Sequence, residues 1–426
     1  MAIESLLGNL PLKWETITLG DACQRGGGFI QTGPFGSQLH ASDYVEVGIP
    51  SIMPKNIGDN RVVPDGIARI TEKDAKRLER YLVRSGDIVY SRRGDVERRA
   101  LITEQEDGWL CGTGCLRVRF GSFDYVDPLY ASYYLGDLAV REWIVRHAIG
   151  ATMPNLNTSI LSALPFVLPP LPEQRAIARI LGALDDKIEL NRRMNATIES
   201  MARVVFRQWF VENEEVKEWK VGLLSDIAYI VKGVSYRSID LVEESDTALV
   251  TLKSMERGGG YREDGLKPYE GEYKSGQKLS PGEVVIAHTD LTQAADVIGR
   301  AARIETSEKH PNLVASLDMA IVRPKEKPYT NEYIFGVLSQ VEFSDHAYGY
   351  TNGTTVLHLS SKALQEYQFR IPPKNKVKEF SDLVLPIFLK IDNNKKESRT
   401  LGSLRDSLLP KLMRGEVRVK DVEEKL

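Results

Sequence analysis

The chain is short of the residues on which several classes of protein depend. It has 3 cysteines and 6 histidines in 426 residues. Cys111 and Cys115 lie four residues apart, but no second cysteine pair or nearby histidine cluster would complete a zinc site. So few cysteines exclude a disulfide scaffold and fit a reducing compartment. We therefore predict ordinary core or surface thiols and no metal site.

Long apolar runs are also missing. None approaches the roughly 18 residues that a membrane-spanning helix requires, and the opening Met-Ala-Ile-Glu-Ser lacks the basic and apolar regions of a signal peptide. These observations predict a cytoplasmic protein without membrane contact. The hydrophobic content of 42% is ample for packed cores, and the length suggests two or three domains.

An excess of one charge is absent as well. The net charge is −3, so any nucleic-acid binding must rest on local patches or on partners. The sequence also has no Gly-x-x-x-x-Gly-Lys-Ser/Thr loop for a nucleotide phosphate.

The most regular pattern that is present follows Pro169-Pro170 and is typical of a long helix. Apolar and small residues there recur in alternating steps of four and three, which is the spacing of a coiled-coil seam. The seam positions are Ile177, Leu181, Leu184, Ile188, Asn191, Asn195, Ile198, Ala202, Val205 and Trp209. A shift of 203 residues gives Phe380, Val384, Ile387, Ile391, Asn394, Ser398, Leu401, Arg405, Leu408 and Leu412, after Pro372-Pro373.

Other segments repeat in the same order, which indicates a tandem duplication. Trp14 and Trp219 open the halves, and Gly86 and Gly282 each precede an apolar strand. Residues 116–120 and 319–323 are predicted as equivalent strands at an offset of 203. Asp127, followed by proline, and Thr330 are then predicted as N-caps of matching short helices. Each half is therefore expected to be an α/β (α+β) domain followed by one long helix.

The polar seam residues predict the register of the helix pair. In an antiparallel coiled coil, Asn191 would face Ser398 and Asn195 would face Asn394, so that the amides meet each other instead of apolar side chains. In the layer that joins Leu184 to Arg405, the guanidinium is expected to turn outward toward Asp185. Pro386 is expected to kink the second helix.

The loops between the repeated strands differ between the halves and are rich in arginine, glutamine, serine and asparagine. These side chains suit DNA, because arginine can bond a guanine edge, asparagine or glutamine an adenine edge, and lysine a phosphate. Residues 76–99 hold eight Lys or Arg against four acids. By composition alone, these residues could equally form a charged, solvent-exposed surface that binds no DNA, and this alternative remains open.

We predict DNA contacts at polar residues of these loops. In the first half they are Gln31, Ser37, Gln38, Lys55, Asn56, Arg92, Arg93, Arg98, Arg99 and Asn155. In the second half they are Lys232, Tyr236, Arg237, Lys253, Ser254, Thr289, Thr292, Gln293, Tyr350, Asn352 and Thr354.

Several motifs resemble those of the specificity subunit of Type I restriction-modification enzymes. They are residues 168–177 (Leu-Pro-Pro-Leu-Pro-Glu-Gln-Arg-Ala-Ile), 184–188 (Leu-Asp-Asp-Lys-Ile), 408–412 (Leu-Leu-Pro-Lys-Leu) and 33–39 (Gly-Pro-Phe-Gly-Ser-Gln-Leu). The resemblance covers almost the whole chain. One departure is that residues 374–377 read Lys-Asn-Lys-Val where 171–174 read Leu-Pro-Glu-Gln.

The resemblance implies two globular target recognition domains separated by two long helices that form an antiparallel coiled coil with pseudo-two-fold symmetry. The corresponding segments are an N-terminal arm at 1–13, recognition domains at 14–170 and 214–373, long helices at 171–213 and 374–418, and a tail at 419–426.

The resemblance also implies a non-catalytic subunit that recognises a bipartite site in double-stranded DNA. Its expected partners are two methyltransferase (modification) subunits and, through them, restriction and translocase subunits. By the same resemblance, S-adenosylmethionine, Mg²⁺ and ATP belong to those partners, and this chain binds no cofactor.

Two other classes of function remain as alternatives. Residues 127–130 (Asp-Pro-Leu-Tyr) resemble the Asp/Asn-Pro-Pro-Tyr motif of amino-methyltransferases, and Pro64-Asp65 with residues 74–76 (Asp-Ala-Lys) fits a loose nuclease pattern. Capped helical turns explain both segments equally well. A protein-binding adaptor would instead expose a broad apolar surface on the globular domains.

Overall fold

The computed structural model describes residues 4–8, 10–150, 152–291, 295–353, 356–417 and 419. The chain divides into two compact units, Met1–Glu189 with Ser398–Leu426, and Leu190–Glu397. Both divisions fall inside the long helices. Each unit therefore contains one α/β body and a part of each long helix.

The first unit alternates short strands and helices before its long helix. Its elements are β1 (Glu15–Thr18), α1 (Leu19–Arg25), β2 (Gly27–Thr32), β3 (Tyr44–Val45), β4 (Ile49–Ile52), β5 (Ala68–Ile70), α2 (Glu72–Arg77), β6 (Ile88–Ser91), β7 (Arg99–Leu101), β8 (Leu110–Cys111), β9 (Cys115–Gly121), α3 (Pro128–Tyr134), α4 (Leu138–His147), α5 (Thr158–Ser162), β10 (Pro165–Leu168) and α6 (Leu171–Phe210).

The second unit follows the same plan. Its elements are β11 (Val221–Leu223), α7 (Leu224–Ile227), β12 (Ala228–Lys232), β13 (Thr247–Val250), β14 (Lys267–Pro268), β15 (Lys278–Leu279), β16 (Val284–Ala287), β17 (Thr289–Asp290), β18 (Ala301–Arg303), β19 (Asn312–Ala315), β20 (Met319–Pro324), α8 (Asn331–Leu338), α9 (Val341–Tyr348), β21 (Thr351–Asn352), β22 (Leu357–Leu359), α10 (Ser361–Gln365), β23 (Gln368–Arg370) and α11 (Lys374–Met413).

The sheets of the two units have matching topology, which confirms the duplication. An antiparallel sheet has the order β2-β9-β6-β7 in the first unit and β12-β20-β16-β18 in the second. Each unit also has a mixed sheet with one parallel pair, β4 with β8 and β13 with β19. A third, two-stranded sheet joins β1 to β10 and β11 to β23. The main cores lie between the antiparallel sheets and the helices of the same unit.

Strand pairing corrects one part of the sequence alignment. Ile88 pairs with Val118, and its counterpart Val284 pairs with Val322. Residues of β9 therefore correspond to residues of β20 at an offset of 204, one more than the predicted offset of 203. The predicted offset was chosen by aligning apolar residues of the two strands. Shifting one strand by a single residue gives an alignment of similar composition, so the sequence alone does not distinguish the two offsets. The backbone pairing of the strands does distinguish them.

The corrected alignment reveals a charged pair that both units share. Arg119 donates to Asp87 through Nε (2.8 Å) and Nη2 (2.6 Å), and its counterpart Arg323 donates to Glu283 through Nη2 (3.0 Å). Each carboxylate also accepts a backbone N–H, from Arg84 at 2.8 Å and from Ser280 at 2.7 Å. In both units this ion pair links the turn before β6 or β16 to the neighbouring strand, β9 or β20.

The predicted helix starts are confirmed at their caps. Asp127 Oδ1 accepts from Tyr130 N at 2.9 Å, with Pro128 at the first helical position. Thr330 caps α8 in the second unit. Because a side-chain oxygen satisfies an amide that the helix leaves unpaired, both caps define where the chain turns into helix.

The long helices begin where the motifs predict and end earlier. Helix α6 runs from Leu171 to Phe210, and α11 from Lys374 to Met413, whereas the predicted ranges reach 213 and 418. Gly415 terminates α11 with a φ of 67°, while its N–H donates to Leu412 O at 3.1 Å. The expected kink at Pro386 does not interrupt α11, which continues through it as one helix.

Within the second unit, the polar seam residues meet as predicted. Asn394 Nδ2 donates to Asn195 Oδ1 at 2.8 Å, and the two residues are 1% and 8% exposed. Further along, the rings of Trp209 and Phe380 lie 6.2 Å apart, which places residues 190–210 antiparallel to residues 374–397. Asn191 donates to Glu397 Oε2 at 2.8 Å. The predicted position of Asn191 opposite Ser398 stays a prediction.

Within the first unit, the expected outward turn of Arg405 is confirmed. Its Nη1 donates to Asp185 Oδ1 at 2.6 Å, and Asp185 Oδ2 accepts from Tyr133 OH at 2.6 Å. Arg405 is thus bound to the helix that it packs against, and the same carboxylate ties the α/β body to that helix.

We expect the Asn195–Asn394 pair to act through register more than through stability. The Asn394→Leu variant should lose about 1–3 kcal/mol of unfolding free energy, because the Asn195 amide then faces an apolar side chain. The double variant Asn195→Leu/Asn394→Leu should recover most of that loss. Urea unfolding of both variants and the parent tests this pair. A double variant no more stable than the single one would contradict it.

Candidate nucleic-acid interface

Polar loops of the first unit meet at one edge of its antiparallel sheet. Strand β2 ends at Thr32 and β6 at Ser91, and β9 begins beside them because Thr32 pairs with Leu116 and Ser91 with Cys115. The loops that follow β2 and β6 and the turn before β9 therefore share this edge. We call it the first-unit edge.

A fourth segment, before helix α5, is bonded to the same edge. Leu156 N donates to Arg92 O at 2.9 Å, and Gly94 N donates to Pro154 O at 3.1 Å. Arg93 and Asn155 form an isolated β-bridge. The structure thus brings together the predicted residues Arg92, Arg93 and Asn155, although Asn155 lies more than 60 positions along the sequence from the two arginines.

The side chains at this edge differ in how free they are. Arg93 and Ser37 are exposed, and the side chain of Arg98 is 42% exposed with Asp95 at 3.7 Å. Arg92 is half-buried, and its guanidinium carbon lies 5.7 Å from the centre of the Phe35 ring. Arg93 is therefore the most accessible arginine at this edge. Elsewhere in the unit, Lys55 is exposed, but its Nζ donates to Gly66 O at 2.8 Å.

Two residues predicted to contact DNA are instead buried parts of the fold, and these predictions are wrong. Arg99 is 8% exposed, lies in strand β7 and donates through Nε to Ser132 O at 2.8 Å. Burial also lowers its pKa. Asn56 is fully buried and donates to Val63 O at 3.1 Å. Both side chains already have internal partners, so neither presents a donor to a ligand.

Two further predicted residues use their polar atoms internally. Gln38 Oε1 accepts from Phe35 N at 3.2 Å and from Tyr81 OH at 2.9 Å. Gln31 Oε1 accepts from Arg117 Nη2 at 2.9 Å. These hydrogen bonds hold the loop and the strand before it, and they leave the glutamine oxygens engaged.

The second unit has the same edge, built from different residues. Strand β12 ends at Lys232 and β16 at Ala287, and these residues pair with the start of β20 at Ala320 and Met319. Strand β17 then pairs with β22, and β22 with β21. We call this the second-unit edge.

Of the predicted residues that the structure describes near the second-unit edge, three are exposed. Lys232, Arg237 and Asn352 are exposed, and the side chain of Arg237 lies 3.1 Å from Asp240. Tyr236 and Tyr350 are half-buried, and Tyr350 OH donates to Glu366 Oε2 at 3.2 Å.

Within β17, Thr289 uses its hydroxyl inside the protein. Its Oγ1 donates to Asp318 Oδ1 at 2.8 Å. The neighbouring Asp290 is buried, and its Oδ2 accepts from Val297 N at 2.7 Å and Ile298 N at 2.9 Å. Asp290 therefore holds the chain that returns to β18, although the sequence did not single it out.

His288 precedes β17 and is also held internally. Its backbone N donates to Asp318 O at 2.6 Å, and its O accepts from Leu359 N at 2.8 Å. Burial, and to a smaller degree the charge of Lys232, lowers its pKa to about 4. The imidazole is therefore neutral near pH 7.

Lys253 lies at the surface, whereas its neighbour Ser254 lies in the core. Ser254 is fully buried and its Oγ accepts from Thr251 N at 3.2 Å, so the prediction that it contacts DNA is wrong. Lys253 is exposed and lines an open cleft of about 310 Å³ with Arg257 and Arg262. Thr292, Gln293 and Thr354 lie outside the described residues.

The enzyme-like motifs have structural roles. Tyr130 is fully buried and donates its hydroxyl to Val167 O at 3.0 Å, so its ring is not presented to a substrate amine. Asp74 accepts from Thr71, which caps α2, and from Arg77. Both motifs are therefore explained by capped helices.

The three cysteines are buried free thiols, as predicted. Burial raises the pKa of Cys23 and Cys111 to about 12. Among the described residues, no group of three or more His, Cys, Asp or Glu is placed to hold a metal ion. In the same residues, no helix is both long and apolar enough to span a bilayer.

Comparison with known proteins identifies the architecture. Residues 11–200 match the family model described as Type I restriction modification DNA specificity domain. This part of the chain is therefore similar to the DNA specificity domain of Type I restriction-modification systems.

The similarity extends beyond the matched residues. The specificity subunit of the Type I restriction enzyme MjaIX from Methanocaldococcus jannaschii is 25% identical, with 98% of this chain and 97% of that protein covered. The HindI specificity subunit from Haemophilus influenzae is 23% identical, with 86% and 95% covered. The solved Type I S subunit from M. genitalium is 15% identical, with a TM-score of 0.58 and 97% and 99% covered. That structure shows the same fold.

Proposed function

We propose that this chain is a Type I specificity subunit and that it recognises a bipartite site in double-stranded DNA, with one half-site bound at the first-unit edge and the other at the second-unit edge. The observation that carries the proposal is the duplication of one sheet edge with different side chains on it. Arg93 and Asn155 lie at the first edge, and Lys232, Arg237 and Asn352 at the second. A common scaffold with unlike polar loops suits two readers of unlike sequences.

The free side chains at each edge can divide the work of recognition. Arginine can form two hydrogen bonds with the edge of a guanine, and asparagine can do so with adenine. Exposed lysines bind phosphates and set the register of the protein on the duplex without reading bases. In this proposal, the base readers are Arg93, Asn155 and Asn352, and the residues that contact the backbone are Lys232 and Lys253.

The catalytic steps belong to partners in the proposed assembly. Two methyltransferase subunits with S-adenosylmethionine and, through them, restriction subunits with Mg²⁺ and ATP would assemble on this chain in the cytoplasm. The chain itself contributes recognition and attachment.

Binding is expected to depend on the assembly. With a net charge of −3, the chain alone can release few counterions from DNA, so we expect weak binding by the isolated chain and tight binding by the complex with its methylating partner. Titration of a labelled duplex at several salt concentrations measures both. Tight, salt-dependent binding by the isolated chain would contradict this expectation.

The proposal as a whole is tested by mapping methylated adenines in the host genome with and without the gene for this chain. We expect one bipartite motif to lose methylation when the gene is deleted and to regain it on complementation. A motif that stays methylated without the chain would refute the proposed function.

A further inference from the structure

One exposed aromatic side chain at the first-unit edge has no role in the core. Phe35 follows β2 and is 54% exposed. Burying such a side chain on binding would stabilise a complex considerably, because an aromatic ring carries a large apolar surface. Its exposure in the free chain leaves this apolar surface available to a ligand.

The loop that carries Phe35 is held firmly. Gly33 N donates to Cys115 O at 2.9 Å, and a Cβ on Gly33 would lie only 2.1 Å from Gly112 O, so any larger residue would push the loop off the sheet. Gln38 closes the loop, because its side chain accepts from Phe35 N and its backbone N–H donates to Phe35 O at 2.8 Å. The ring is thus presented by an ordered turn, which lowers the entropy that binding would cost.

Cationic and exposed apolar side chains both lie in the segments that meet at the first-unit edge. Arg92 stacks near the ring, and Arg93, the next residue along the chain, is exposed. Ile149 and Met153 are 62% and 60% exposed and flank the segment that bonds to the same edge. A purely phosphate-binding surface would have no use for three exposed apolar side chains, whereas a surface that enters the base stack needs them beside its cations.

We propose that Phe35 is a wedge that inserts into the base stack of the half-site bound at the first-unit edge. This inference rests on the proposed function and specifies how that site engages DNA. The ring would partly unstack one base step and kink the duplex there, while Arg93 holds the flanking backbone or base edge. Because a base must leave the stack before an enzyme can modify it, local unstacking also lowers the cost of presenting an adenine to a methylating partner.

The equivalent loop of the second unit indicates that the wedge acts at one half-site only. Its equivalent loop follows Gly233, which also lies against a backbone oxygen. There the next residues are Val234, which is buried, and Ser235, which is exposed and polar and stands where the first unit has Phe35. The aromatic residue one position later, Tyr236, is half-buried and packs against an apolar cluster of its own unit. The wedge therefore belongs to the first half-site.

The test uses the full complex of this chain with its methylating partner and a duplex that carries the mapped site with 2-aminopurine at single positions. Fluorescence of 2-aminopurine rises when its neighbours unstack. We expect a strong rise near one position of the first half-site, its loss in Phe35→Ala, and its retention in Phe35→Trp. Affinity should fall roughly tenfold in Phe35→Ala, the size expected when one aromatic–base stack is removed.

Phe123 offers a matched control in the same unit. It is 44% exposed but follows Gly121, which pairs with Gly27 at the opposite end of the same sheet. Phe123→Ala should leave fluorescence and affinity unchanged.

The outcomes separate the two proposals. If Phe35→Ala retains both fluorescence and affinity while the parent complex still selects its site, the proposed role of Phe35 as a wedge is wrong and the proposed function stands. Equal effects of Phe35→Ala on the two half-sites would also contradict the proposed wedge. If the parent complex does not prefer its mapped site over a scrambled duplex, both proposals fail.

Discussion

Replacing Asp87 by Ala is expected to destabilise the first unit by about 3–5 kcal/mol, because it leaves charges in the core without their partner. Asp87 is 2% exposed and receives two hydrogen bonds from Arg119. Arg117, which is 1% exposed, lies 3.9 Å away. Two guanidinium groups with little access to water would therefore lose the carboxylate that lies between them.

Asp95 gives a control for this prediction. Its side chain is 71% exposed and lies 3.7 Å from Arg98, so Asp95→Ala should cost less than about 1 kcal/mol. Urea unfolding measures the difference, and hydrogen exchange in β2, β6 and β9 locates it, with β12, β16 and β20 as an internal reference. Equal stability of the two variants, or equal loss of protection in both sheets, would show that the ion pair does not hold the first unit together.

The largest effect on DNA recognition is expected from the double variant Arg93→Ala/Arg98→Ala. These residues are the accessible cations of residues 91–99, which connect β6 to β7 and are called the arginine loop, because Arg99 is buried and Arg92 stacks near Phe35. Removing an arginine that bonds a base should weaken binding by about 1–3 kcal/mol, which is roughly tenfold or more. The double variant should relax selection at the first half-site and leave selection at the second unchanged.

The double variant Arg25→Ala/Arg175→Ala removes the same charge from the same unit. Arg25 precedes β2, and Arg175 lies near Phe123 O at 3.5 Å, so both are at the opposite end of the sheet. Titrations at several salt concentrations should show parental affinity for this control. If both double variants weaken binding equally for all sequences and reduce the salt slope alike, the arginine loop acts only by charge, and its role in reading bases is refuted.

Local periodicity explains why much of the architecture could be predicted. The heptad spacing of the long helices predicted which faces meet, and the Asn195–Asn394 hydrogen bond and the Arg405–Asp185 ion pair follow from that spacing. Caps such as Asp127 act within three residues, so their chemistry is visible in the sequence. The exact correspondence of β9 with β20 was not visible, because a one-residue shift preserves a similar pattern in buried strands.

The candidate interface was predictable only in part. Arginine and glutamine in a loop predict hydrogen bonding but do not reveal the partner. For several of the predicted residues the partner is the protein itself, among them Arg99, Asn56, Gln31, Gln38, Ser254 and Thr289. For Phe35, the sequence indicated a loop motif, but its exposure depends on how Gly33 seats the loop against Gly112.

The sequence by itself determined the duplication, the caps of the short helices α3 and α8, the two long helices and their polar register, since these depend on residues a few positions apart and on a repeat that can be aligned directly. Only the tertiary structure decided which polar loop residues remain available at the two edges. Arg99 is bound by Ser132, 33 positions away, and Arg93 is joined to Asn155. Such contacts bring together distant segments, and burial then decides whether a side chain holds the fold or is free to meet a ligand.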